Sequence, residues 1–302
     1  MGEDASRKNH LYGGQALIEG VMMRGRDHWA VAVRKPAHDI HLESHEIDSI
    51  AKRVPLLGKP GFRGVIALGQ ALAIGFKALS ISANEAQPED EKLSSAQMGF
   101  SMILAVGVFI GLFIVLPALG FGYAERHWLP SGLLANVLEG VFRVLLLLGY
   151  LVLIGRMKEV RRVFQYHGAE HKTIAAYEHH APLDPEHVDE FSTLHVRCGT
   201  NFLLIIMVLT ILVFAFFGSP GWAWRVGSRI VAIPIIAAVA YEFLRLGARF
   251  PSSPVMRAVM APGLWMQKIT TKPPGRDQIE VAIAAFDEVL RCETAATGLG
   301  DS

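Results

Sequence analysis

Residues 99–121, GFSMILAVGVFIGLFIVLPALGF, carry no charge, and neither do residues 200–218, TNFLLIIMVLTILVFAFFG. Each run is long enough to cross a hydrocarbon core of about 30 Å as a helix. Two more apolar runs contain charges: 133–155 holds Glu139 and Arg143, and 229–247 holds Glu242 and Arg245. The spacing puts the members of each pair on one helix face. Intramembrane charge is costly and turns toward a bundle interior, a partner or water. The pairs therefore predict ion pairing between helices, or the lining of a path.

A fifth apolar stretch behaves differently. Residues 62–84 carry Arg63, Gln70, Lys77 and Asn84 at a seven-residue spacing. On a helix these form a polar stripe opposite Val65, Leu68, Leu72, Phe76 and Leu79. That pattern predicts a helix lying in the membrane interface, with a pore-lining helix in an oligomer as the alternative. Upstream, Trp29–Val33 and Ile40–His45 alternate as strands do, joined through Lys35-Pro36. Near the other end, DQIEVAIAAFDEVLRC predicts a soluble amphipathic helix with an Asp277/Glu280 capping box. It would bury Ile279, Ile283, Phe286 and Leu290, and dock on the β region.

Composition agrees with a chain partly in lipid. Of 302 residues, 51% are hydrophobic and only 19% charged, against about 25% in soluble domains. A net charge of +1 argues against a nucleic-acid binder held by phosphate contacts. The N-terminal MGEDASRKNHLYGG has no apolar core of a signal peptide. Arg156, Lys158, Arg161 and Arg162 follow the second run, whereas the loops 122–132 and 219–228 hold one arginine each. The positive-inside rule then puts both termini and the 156–199 loop in the cytoplasm.

The expected fold is an α-helical polytopic membrane protein of about four transmembrane helices, with a small β-rich cytoplasmic N-terminal domain. Its segments are the β-rich domain (1–61), the interfacial helix and linker (62–98), and a first helix pair (99–155). A cytoplasmic His-rich loop (156–199), a second helix pair (200–247) and a cytoplasmic C-terminal segment (248–302) complete it. The expected location is the inner, cytoplasmic membrane, with lipid and further copies of the same chain as partners.

Candidate chemistry lies in that loop. His167, Glu170 and His171 spell H-x-x-E-H, the inverted zincin pattern. On a helix the two histidines project one turn apart, the spacing that grips one metal ion, and Glu170 stands beside them as a base. His195 and Cys198, three residues apart just before the third run, make a second half-site. Glu242 is a candidate acidic ligand, with a pair to Arg245 as its alternative, and Glu178 is another oxygen candidate. His179, His180 and His187 read as solvated loop residues, and Asp184-Pro185 as a helix start. The other cysteine, Cys292, is too distant for a disulfide framework.

The stretches GGQALIEGVMMRG, YHGAEHKTI, RCGTNFLL and APGLWMQKITTKPP together resemble the YqhQ family of bacterial membrane proteins. The resemblance runs over about 12–291 and implies a metal-dependent enzyme. Relatives read H-P-R-C-G-T-S where this chain has His195-Val196-Arg197-Cys198-Gly199-Thr200-Asn201, so the possible ligands stay while the proline and serine are lost.

Three functions follow. The leading one is a juxtamembrane hydrolase using a divalent metal, with zinc expected, in which Glu170 activates water. The alternatives are an oligomeric pore or transporter lined by the charged pairs, and a scaffold with a structural polar or zinc cluster.

Overall fold

The computed structural model describes residues 12–48, 54, 59, 63–129, 132–195, 198–216, 221–250 and 253–296. The polar N-terminal stretch and most of 49–62 lie outside the described residues.

An antiparallel sheet of four strands comes first, in the order β1 (Gly13–Leu17), β2 (Gly20–Arg24), β3 (His28–Arg34) and β4 (Ile40–Glu46). The last two match the expected strands. The first two were missed for a physical reason. Val21, Met23, Ala30 and Ala32 face one core, while Leu17, Met22, Trp29, Val31 and Val33 face another. β2 is buried along most of its length and so loses the apolar–polar alternation that marks a half-exposed strand, while β1 opens on two exposed glycines that carry no such pattern. The β1–β2 turn is only Ile18-Glu19, with Glu19 at φ 51°.

Helix α1 (Arg63–Glu85) covers the second core through Ile74 and Ala78. Its polar stripe is turned onto protein. Gln70 accepts from Arg24 at 2.8 Å, and Lys77 sits 3.3 Å from His45 Nδ1 and 5.5 Å over the Trp29 ring. Asn84 caps the Leu93 N–H at 3.0 Å, and Arg63 holds Glu242. Leu72 and Phe76, on the other face, are exposed.

The apolar helices are α2 (Ser95–His127), α3 (Leu133–Ile154), α6 (Gly199–Ala215) and α7 (Trp222–Arg249). Between α3 and α6 come α4 (Lys158–Glu178) and α5 (Pro185–Asp189). Helices α8 (Pro254–Thr270) and α9 (Arg276–Ala296) close the chain. Among the described residues, four helices are long and apolar enough to cross a membrane: α1, α2, α3 and, within α7, Val226–Gly247. This is a multi-pass membrane protein. Three of the four, α2, α3 and α7, are expected spans. Helix α1 qualifies by length and composition, whereas α6 has only 17 residues, about 25 Å at 1.5 Å per residue. Apolar all round, α6 packs against α3, α7 and α8 at once, as a central bundle helix should.

Helix α2 begins with a capping box, Ser94 to Gln97, and widens into a π turn at Gly111–Val115. Pro117 follows after Leu116, and a proline ring cannot sit against the carbonyl four residues earlier. The widened turn presents the Ile114 carbonyl to Arg143 at 3.3 Å. Arg143 also donates to Glu139 at 2.6 Å, and Arg229 of α7 donates to the other Glu139 oxygen at 2.8 Å. Glu139 is 1% exposed, and both arginines are buried. The expected pair is thus a triad. Arg229, the first residue of the predicted span, was the member that the pairwise spacing overlooked.

Helix α9 docks on the sheet as expected, with Ile279, Ile283 and Phe286 buried and Leu290 partly buried beside Val21 and Met23. Its start differs from the expected box. Gln278 Oε1 accepts the Gly275 N–H at 2.7 Å, while Glu280 turns to Arg34. The side-chain cap begins at Gly275, two residues ahead of Asp277.

Candidate metal centre

The H-x-x-E-H segment is helical, in the middle of α4, as its spacing predicted. One face of α4 packs Tyr166, Ala169 and Ile174 into the core shared with β2, β3 and α9. That packing fixes the neighbouring face, which carries His167 and His171 with ring centroids 4.4 Å apart. Cys198 approaches from the N-cap of α6, where its sulfur accepts from Thr200 N at 3.4 Å and Thr200 Oγ1 at 3.2 Å. One donor atom from each of His167, His171 and Cys198 lies within 4.8 Å of the others.

The donors are set up as ligands. His167 Nδ1 donates to the Thr270 carbonyl at 2.9 Å, and His171 Nδ1 donates to the Thr193 carbonyl at 2.6 Å. A proton committed to Nδ1 leaves the Nε2 lone pair bare, which is how a second-shell carbonyl orients a metal-binding imidazole. His167 Nε2 lies 3.2 Å from Cys198 Sγ. Among the described residues, His171 Nε2 is buried with no hydrogen-bond partner, and an orphaned buried acceptor is costly. Burial, with His167 alongside, lowers the His171 pKa to about 3, so the ring stays neutral. Burial raises the Cys198 thiol, opposed by the Thr200 contacts. Two neutral imidazoles and a sulfur suit zinc or another borderline divalent ion.

His195 stands outside this group. Its ring is 5.7 Å from that of His171, and its Nε2 lies 3.3 Å from Glu178 Oε2. Two candidate ligands thus face each other at the rim. Burial lowers His195 to about 4. Gln267, fully buried on α8, holds the His195 backbone by donating to its carbonyl at 2.8 Å and accepting its N–H at 2.9 Å. Residues 196 and 197 lie outside the described residues. Glu242 is not brought to the site, because its carboxylate is held by Arg63 with Nε at 2.6 Å. Arg63 makes the direct contact that was expected of Arg245, which is exposed and attracts the carboxylate only at longer range. His179 and His187 bond locally, to Ala175 and Asp184, and Asp184 caps α5 as expected.

Glu170 is 5% exposed and sits against β1, where it accepts the Gly14 N–H. A Cβ at Gly14 would come within 2.8 Å of Glu170 Cγ and 2.7 Å of the Met22 carbonyl, so the glycine makes this approach possible. Burial pushes the Glu170 carboxyl up to about 8, against the pull of His167. Glu170 shares a cavity of about 420 Å³ with His167, His171, His195, Cys198 and the β1 backbone. The sequence signalled neither Gln267 nor the carbonyls of Thr193 and Thr270, since a backbone acceptor has no sequence signature.

Comparison with known proteins supplies the family. A family profile described as "Protein of unknown function (DUF1385)" matches residues 59–292. "Uncharacterized protein YqhQ" of Bacillus subtilis (strain 168) is 33% identical over 300 residues, covering 93% of each chain. No solved structure matches. With most of its length matched by the profile and nearly all of it aligned to the bacillar relative, the chain belongs to the DUF1385 family.

Proposed function

We propose that this protein is an integral membrane hydrolase using a divalent metal ion, zinc in the first instance, at the cytoplasmic membrane face. The observation that carries the reading is the orphaned Nε2 of His171, buried beside His167 Nε2 and Cys198 Sγ. His167, His171 and Cys198 would hold the ion. When bound, such an ion supplies Lewis acidity that polarises a carbonyl and acidifies water. Glu170 lines the same cavity outside the three-donor group, where a proton-transfer group belongs. A carboxyl with its pKa raised to about 8 both takes and returns a proton near neutral pH. Among the described residues three protein donors stand beside the cavity, which supports catalysis over a structural role, because structural zinc sites are closed by four.

Metal analysis of the detergent-purified protein tests the reading. Near-stoichiometric zinc, or another transition metal, is expected in the wild type. His171→Ala and Cys198→Ser should both lose it. A wild type free of metal after growth in metal-supplemented medium would sink the proposal.

The arginine and lysine distribution further supports a cytoplasmic site with both termini inside. Cysteines introduced at Arg126 and His180 should label from opposite sides of sealed vesicles. Labelling of both from one side overturns this orientation.

A further inference from the structure

Strand β1 is the outer strand of the sheet, and its residues 13–16 line the cavity that holds the candidate ligands. The register decides where its backbone groups point. A two-residue turn makes Leu17–Gly20 the closing hydrogen-bonded pair, followed by Gln15–Met22 and Gly13–Arg24. Gly14 and Ala16 therefore direct N–H and C=O away from β2, to the open edge. The bond from the Gly14 N–H to Glu170 agrees with this phase. Among the described residues, no backbone partner meets the Ala16 N–H, the Ala16 carbonyl or the Gly14 carbonyl. Gly13 and Gly14 are exposed and present no side chain to block a neighbour.

An unpaired edge with alternating donors and acceptors is the template on which an extended chain adds as a further strand. An acyl chain or a sugar does not offer N–H and C=O groups at that repeat. We propose that the substrate of this site is an extended polypeptide segment that pairs with the free edge of β1. The proposal rests on the hydrolase reading for its chemistry, though not for its binding. The paired segment would exchange hydrogen bonds with Ala16, donate to the Gly14 carbonyl, and run past Glu170 into the cavity. Cleavage adds water across an amide. The water oxygen bonds to the carbonyl carbon, the C–N bond breaks, and one water proton passes through Glu170 to the departing nitrogen.

Hydrogen exchange at the Ala16 amide tests this in the full-length protein in lipid nanodiscs. The probe is a mixture of capped decapeptides randomised at every position. Ala16 should exchange freely in the protein alone, then slow by about tenfold or more with the peptides. A matched mixture N-methylated at every amide should give no slowing. Equal slowing with both mixtures, no slowing with either, or an Ala16 amide already protected without peptide overturns the proposal. The experiment is repeated on His171→Ala and after chelation. Slowing that persists while metal and cleavage are absent from the wild type would remove the hydrolase reading and leave the strand site standing.

Discussion

Glu170→Gln is expected to leave the metal content of the protein unchanged and to lower peptide hydrolysis by about 10²–10⁴-fold. The amide keeps the size of the carboxyl, and its oxygen still accepts the Gly14 N–H, so the contact with β1 is retained. What it loses is the ability to take a proton. Glu170 lies outside the three-donor group, so metal retention follows from the geometry. Cleavage is read as new amino termini released from the randomised decapeptides, with metal measured on the same sample. His171→Ala should lose both. Wild-type cleavage by metal-loaded Glu170→Gln would remove Glu170 from proton transfer. Loss of metal from that variant would make it a ligand instead.

The second large effect is expected in the bundle. Glu139→Leu should destabilise the protein by about 3–5 kcal/mol, the usual cost of leaving buried charge without its counterpart. Glu139 accepts from Arg143 with one oxygen and from Arg229 with the other, so its loss takes a carboxylate from two buried guanidinium groups. Arg143→Leu should cost less, because Arg229 still meets the carboxylate. A simple Glu139–Arg143 pair would be rescued by replacing both residues with leucine. The triad predicts no rescue, since the double variant takes Glu139 away from Arg229. Thermal unfolding in detergent separates the cases: a double variant as stable as the wild type would show that Arg229 does not depend on Glu139.

The multi-pass class, the helix carrying H-x-x-E-H and the docking of α9 on the sheet were legible along the chain. These follow from periodicity, which is a local property: charge-free runs need lipid or a bundle, and residues four apart share a helix face. The sequence also named all three members of the donor group, since two lie on one helix and the third stands at the start of another. Tertiary structure decided the rest. Only packing could show that β1 and β2 are strands, because β2 is buried on both faces and β1 begins with two glycines, so neither alternates. Only packing could separate Cys198, which meets His167, from His195, which turns to Glu178 across 17 residues of chain. Glu242 had an arginine three residues away and found another 179 residues away, and Glu139 found a second arginine 90 residues away. Long-range charge pairing depends on which helices meet, and a single helix's sequence does not carry that information.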